Sequence, residues 1–359
     1  MPPQPYPTEP RARDRWILSR RGSRRRHNVR RAHSFFIERE RSAQGKAESV
    51  LTVLLTSREC PWRCLMCDLW KFTVPGPIPV GAIPRQIQGV LAGLPDAMAA
   101  DPEVPFQPRV IKLYNGGSFF DARAVPPADY PAIAQLVCRF ERVIVECHPA
   151  LVGERCLEFR RLLHNAAAEY GTRADRLPTL ELALGLETAH PEVLEKLNKR
   201  MTLEQFRAAA AFLAEHGIAL RVFILVKPPF LSEAAALEWA VRSLVFAFDC
   251  GATVAVLIPT RLGNGALEDL AAQGAFARPK LATLETALEF GLRLRRGRVL
   301  ADLWDIEKFS ECSICLESRV KRLRRINAEQ EPLGPVECPV CEPMFDLARA
   351  CRTPSPPPP

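Results

Sequence analysis

Six short runs of mainly aliphatic residues recur along the chain, at Val50–Leu55, Arg109–Tyr114, Arg142–Cys147, Leu180–Leu186, Ala219–Val226 and Thr253–Ile258. Most are near-continuously apolar, a pattern that suits strands of a sheet covered on both faces. Amphipathic stretches separate them. The clearest starts at Thr202, with Gln205 three residues on to complete a capping box, and stops at Gly217. Ser232 is placed to cap the next helix in the same way. Such alternation predicts a parallel sheet with right-handed crossovers. Six units fit a partial (β/α)6 barrel, and a doubly wound open sheet would leave a similar pattern.

In a barrel the reactive groups gather at the C-terminal ends of the strands. Those ends hold a cysteine-rich loop, then Asn115, Gly116, Gly117 and Ser118, then Glu146, Cys147 and His148. Glu187 with Thr188, Lys227 before two prolines, and Pro259 to Arg261 complete the rim. Polar, glycine and proline chemistry converging on one rim favours an enzyme, with Lys227 as a candidate catalytic, substrate-facing group.

The flanks differ from this body. Residues 1–45 are rich in proline and arginine, with ten arginines against one aspartate between positions 11 and 31. They read as a basic arm that orders on a polyanionic partner, nucleic acid ahead of membrane. The core is expected over 46–300, a small cysteine module over 301–352, and a proline-rich tail over 353–359. No apolar run reaches the roughly 18 residues of a membrane span, and the arginine-rich start lacks the apolar stretch of an export signal. A soluble cytoplasmic protein is expected.

Seven of the twelve cysteines sit in tight spacings, which in a cytosolic enzyme point to metal. Cys60, Cys64 and Cys67 directly follow the first strand. Three thiolates this close can hold three irons of a 4Fe–4S cluster and leave a fourth iron open, since no further cysteine occurs before Cys138. A zinc site completed by His148, or plain structural cysteines, are the competing readings. The second group is Cys312, Cys315, Cys338 and Cys341, two pairs 22 residues apart. Four thiolates suit a closed tetrahedral zinc site, and a second iron–sulfur cluster fits the spacing as well. Between the pairs lie Arg319, Lys321, Arg322, Arg324 and Arg325, a second basic patch. Cys351 reads as a spare cysteine, and Cys138, Cys147, Cys156 and Cys250 as core residues.

The cysteine triad, placed after the first strand, resembles the signature of the radical S-adenosylmethionine (SAM) superfamily. That resemblance implies a radical SAM barrel with SAM chelated at the open iron and cleaved to methionine and a 5′-deoxyadenosyl radical. It also implies a SAM-binding role for the Asn115, Gly116, Gly117 and Ser118 stretch, where Ser118 replaces the family's usual acid. Met66 stands where the family commonly has an aromatic residue on adenine. Glu146 and Glu187 fall where ribose or methionyl contacts are made. Leu184 to Thr202 (LGLETAHPEVLEKLNKRMT) resembles the elongator-type branch, and there Arg200 is placed to neutralise the SAM carboxylate.

Three further stretches are similar to the radical SAM subunit of archaeosine synthase: Ala32 to Glu40 (AHSFFIERE), Arg63 to Trp70 (RCLMCDLW) and Lys112 to Asp121 (KLYNGGSFFD). This likeness implies a C–N lyase acting on a modified 7-deazaguanine in tRNA. A partner transferase subunit and an electron donor such as flavodoxin or ferredoxin would then be needed. Two other functions stay open. One is a radical SAM enzyme for a peptide or small metabolite, with an auxiliary iron–sulfur cluster. The other is a zinc-dependent nucleic-acid-binding protein without catalysis, which the intact cysteine triad disfavours.

Overall fold

The computed structural model describes residues 5–100 and 107–341. Cys351 and the proline-rich tail lie outside these residues. The expected capping signals place the helices. Thr202 Oγ1 accepts the Gln205 amide at 3.2 Å while the Gln205 side chain accepts the Thr202 amide at 3.0 Å, and Ser232 Oγ accepts the Ala235 amide.

In chain order the elements are α1 (Pro10–Ser19), β1 (Ser34–Arg41), β2 (Ala47–Leu55), β3 (Ser57–Arg58), β4 (Thr73–Val74), α2 (Ala82–Ala100), β5 (Val110–Asn115) and α3 (Tyr130–Val137). There follow β6 (Arg142–Cys147), α4 (Glu154–Glu169), β7 (Thr179–Glu187), α5 (Pro191–Lys196), α6 (Leu203–Glu215), β8 (Ala219–Val226) and α7 (Glu233–Asp249). The chain continues through β9 (Val254–Pro259), α8 (Ala266–Ala272), α9 (Leu281–Arg293), β10 (Arg298–Ala301) and α10 (Ser313–Glu329). All six expected strands form.

One sheet of eight strands runs β1-β2-β5-β6-β7-β8-β9-β10, parallel except for the β1–β2 pair. It curls into a nearly closed barrel. β1 and β10, its two edges, are additions to the expected six. β1 escapes an apolar-run reading because its inward face carries Glu38 and Glu40 beside Phe36, opposite Val50 and Thr52 of β2. The outward faces of the strands and the helices form the main core, including Leu51, Ile111, Val143, Leu182, Val222 and Leu257.

The barrel interior is layered. Its floor is ionic: Arg221 bonds Glu181 at 2.6 Å and both oxygens of Glu40, and Lys112 reaches Glu40 and, one inward step higher on β1, the partly exposed Glu38. The flanking cations hold the Glu40 carboxyl well below the usual carboxylate range despite its burial. Beside it Val50, Val110, Ile144 and Ala183 pack with Tyr114 and Phe223. Higher still, inward residues such as Glu146, Val256 and Ile258 become partly exposed while their outward neighbours stay buried. The lumen therefore opens at the C-terminal end of the strands, where the rim residues lie.

The expected free arm is partly built into the fold. Trp16 and Ile17 of α1 are buried against Leu65, Leu267 and Leu270, and Arg13 is buried on Glu195 and two carbonyls. A short apolar turn among arginines gave no local sign of this partner surface. No helix among the described residues is long and apolar enough to cross a membrane.

Candidate functional site

The loop that leaves β2 carries Cys60, Cys64 and Cys67, all free thiols, with Cys64 buried and the others half-buried. Backbone bonds pin it to two other rim loops, Cys60 N to Gly116 O and Leu65 N to Leu197 O. Side-chain amides hold its carbonyls: Asn198 donates to Arg63 O at 2.8 Å and Asn264 to Leu65 O at 2.6 Å. Glu59, directly before the first cysteine, accepts from Arg21, Arg24 and Arg63. The loop is thus positioned by backbone, side-chain amide and ionic contacts together.

His148 locks it from a further side. The Trp62 ring lies flat on the His148 ring, with centroids 3.6 Å apart and planes 7° from parallel. His148 Nδ1 accepts from Ala150 N and Nε2 meets Lys199 O, which sets the Nε2–H tautomer. Burial and the nearby Lys199 ammonium push its pKa down to about 3. Both ring nitrogens are engaged, so His148 does not complete a zinc site with the triad.

Beside the loop stands the glycine turn. A Cβ on Gly117 would run into the Arg58 carbonyl and come within 2.7 Å of Ala124 Cβ, so close chain passage requires glycine there. Ser118 has φ of 70° and its hydroxyl accepts the His148 amide at 2.9 Å. Asn115 donates to Ser57, while its Oδ1 is buried without a partner.

The acidic rim residues are tied to a lysine that the motif reading passed over. Lys199 Nζ bonds Glu187 Oε1 at 2.7 Å, and both side chains are buried. A Cβ on Gly185 would lie 2.6 Å from Lys199 Nζ, so this glycine makes the room for the ammonium. Glu146 stands near the pair, and burial lifts its carboxyl to about 7 against the pull of Lys199. Arg200 turns the other way, to Asp14 and the Pro10 carbonyl of α1, and is exposed. Left-handed backbone on both sides of Lys199 accompanies the split, since Asn198 and Arg200 have φ of 57° and 58°. The signal for Lys199 was its place one residue before Arg200.

Lys227 is buried, with φ of 55°, and its ammonium goes to Glu233 at 2.5 Å and to the Arg278 carbonyl. There it fixes the start of α7. Met66 packs between the α1 cluster and Val193, Leu197 and Leu225. Ser118, Glu187, Asn198, Arg200 and Lys227 all hold left-handed backbone on this rim, a concentration of strain that marks functional sites.

The triad suits a cluster better than a single ion. Among the described residues, Cys312, Cys315, Cys338 and Cys341 are the one group of three or more His, Cys, Asp or Glu residues whose ligand atoms all lie within 4.8 Å of one another. Three thiolates on three separate irons need a wider spread. The orphaned Asn115 Oδ1, Asn198 Oδ1 and Trp70 Nε1 near the loop add polar groups that await partners. Burial pushes all three thiols up, Cys64 to about 12, so a metal bound by them would have to displace their protons.

At the C-terminal module, Cys312 and Cys338 sulfurs are 3.8 Å apart and those of Cys315 and Cys341 3.6 Å. Four thiolates at about 2.3 Å from one tetrahedral ion would stand about 3.8 Å apart. The basic patch between the pairs is largely internal. Arg319 and Arg322 bond Glu285 and Glu289 of α9, while Lys321 and Arg325 pair along their own helix.

No protein-family model matches the chain. It is 28% identical over 144 residues to archaeosine synthase subunit beta of Thermococcus kodakarensis, covering 38% of this chain and 40% of that protein. A solved structure of methylornithine synthase overlays with a TM-score of 0.48 at 15% identity, covering 79% of this chain and 70% of that one. Archaeosine synthase subunit beta of Methanosarcina acetivorans is 27% identical over 249 residues, 66% of this chain and 65% of the relative. The chain thus spans between about two-fifths and two-thirds of these two curated relatives. The motif likeness read from the sequence is met by these relatives: over about two-thirds of its length, the chain is similar to archaeosine synthase subunit beta.

Proposed function

We propose that the chain is a radical SAM enzyme whose 4Fe–4S cluster is held by Cys60, Cys64 and Cys67. The observation that carries this reading is a loop of three free thiols, positioned on every side at the open end of a barrel, beside a tight glycine turn and a buried ammonium. Held by Cys60, Cys64 and Cys67, a bound cluster would supply the one-electron reduction needed for reductive cleavage of SAM. The protein's own part is binding, orientation and exclusion of side reactions. Lys199, in place of Arg200, offers the cation for the SAM carboxylate. Glu187 holds that ammonium, and the Asn115 to Ser118 turn would offer its backbone to the SAM amino group. Glu146, with its raised carboxyl, can donate or accept a hydrogen bond at the lumen wall.

The substrate reading is a C–N lyase step in tRNA 7-deazaguanine modification, with a transferase partner and a flavodoxin- or ferredoxin-type donor. Likeness to archaeosine synthase subunit beta supports it, as do exposed Arg11, Arg15, Arg25, Arg26, Arg30 and Arg31. The C-terminal cysteines fit one tetrahedral zinc ion, by the sulfur spacing.

Anaerobically reconstituted protein is expected to bind about four irons at the triad. With dithionite and SAM it should release 5′-deoxyadenosine. Protein with an assembled cluster that releases none would sink the radical reading. A Cys60/Cys64/Cys67→Ala variant that keeps zinc and loses iron would support the C-terminal assignment. Nucleoside analysis of tRNA with and without the gene tests the substrate.

A further inference from the structure

The barrel's side is unevenly closed between its edges, β1 and β10. At the floor, Arg298 donates to the Arg41 carbonyl at 2.8 Å and bridges the gap. Along β10, α10 takes the place of a missing strand. Gln330 exchanges two hydrogen bonds with Val299, and Asn327 two with Ala301, all between 2.8 and 2.9 Å. The upper part of the gap has no such bridge among the described residues. Instead, two large apolar rings flank it. Phe36, on the inward face of β1, is 36% exposed, and Trp304, just past β10, is 57% exposed. Their centroids are 6.4 Å apart.

Trp304 is held firmly although its ring is bare. Arg261, at the end of β9, donates twice to the Trp304 carbonyl and pairs with Asp302, which in turn accepts the Trp304 amide. One step below Phe36 on the same inward face is Glu38. Its Oε1 takes the Thr52 hydroxyl at 2.5 Å and the Lys112 ammonium at 2.8 Å, and its Oε2 has no partner among the described residues. Rigid exposed aromatic faces with an acceptor oxygen beside them suit one ligand chemistry: a flat heteroaromatic ring with an N–H edge.

We propose that Phe36, Trp304 and Glu38 form the substrate-ring site at the lumen mouth: the two ring planes are 43° apart, so Trp304 stacks on the base, Phe36 packs against its edge, and the carboxylate accepts from its N–H edge. The site faces the cofactor rim across the lumen, so the assignment of a substrate rests on the radical SAM reading, while the ring site itself can be judged without it.

The probe is guanosine, with 1-methylguanosine as the analogue lacking the N1 donor, titrated into the full chain. Guanosine should quench tryptophan fluorescence saturably, and Trp304→Phe should remove the quench. By equilibrium dialysis, Trp304→Ala and Phe36→Ala should each weaken binding about tenfold. Glu38→Ala should erase the preference for guanosine over 1-methylguanosine. An unchanged quench in Trp304→Phe, unchanged dialysis constants in the alanine variants, or no guanosine binding by the parent would overturn the site. Absence of 5′-deoxyadenosine from the parent would sink the radical reading alone.

Discussion

At the residue scale, two buried ionisable groups set the character of the rim. Glu146 has its carboxyl raised to about 7 by burial, against an ordinary value of 4.5. The folded state therefore takes up its proton more readily than the unfolded chain, and stability is lost as pH rises from about 4.5 through 7. Glu146→Gln removes that loss. Its Tm should exceed the parent's at pH 8 and match it at pH 5, as read by calorimetry on cofactor-free protein. Lys199 is the reverse case: burial opposes its charge, and Glu187 and the other nearby anions more than restore it. Replacing it by methionine leaves the Glu187 carboxylate buried and unpaired. A loss of about 3–5 kcal/mol in urea unfolding is expected, whereas Arg200→Met, at an exposed pair, should change stability by less than about 1 kcal/mol.

At the element scale, α10 carries an unusual duty, since two side-chain amides supply the hydrogen bonds that a neighbouring strand would give β10. Its ends are also secured. Arg319 and Arg322 anchor it on α9, and the residues after it fold back so that Leu333 and Gly334 carbonyls accept from Arg322. The four cysteines then join the start of α10 to that returning segment. An Asn327→Leu/Gln330→Leu variant should expose the Val299 and Ala301 amides, seen as faster hydrogen exchange at those two positions with the metal content of the four-cysteine site unchanged. Equal protection in the variant would show that β10 is held by other means.

At the scale of the whole molecule, the positive charge is distributed differently from a free basic arm. Arg13, Arg20, Arg21 and Arg24 are consumed in ion pairs that fasten the N-terminal segment to the cysteine loop, α5 and α8. Deleting residues 1–31 should therefore lower Tm by several degrees, because Leu65 and Leu267 lose their cover, and RNA binding lost in that deletion is ambiguous. A quadruple change of Arg25, Arg26, Arg30 and Arg31 to glutamine is the cleaner test. It should leave Tm unchanged and reduce the slope of log affinity for tRNA against log salt by up to about 3. A slope equal to the parent's would place the RNA surface elsewhere.

What the amino-acid sequence determined by itself was whatever depends on local pattern. Six apolar strands, the Thr202 capping box, the stop at Gly217 and the two groups of clustered cysteines follow from spacing, because period and cap are properties of neighbours in the chain. Tertiary structure decided the rest. β1 was hidden because its inward acids make sense only against Lys112 and Arg221, far away in sequence. Lys199 rather than Arg200 faces the site, with a left-handed residue on either side of it and adjacent side chains turned in opposite directions. His148 was one more rim residue until Trp62 came to lie on it. The arginines of the N-terminal segment and of α10 read as one kind of surface, and only their partners, Glu59, Asp269, Glu285 and Glu289, separate those that hold the fold together from those left free to meet something else.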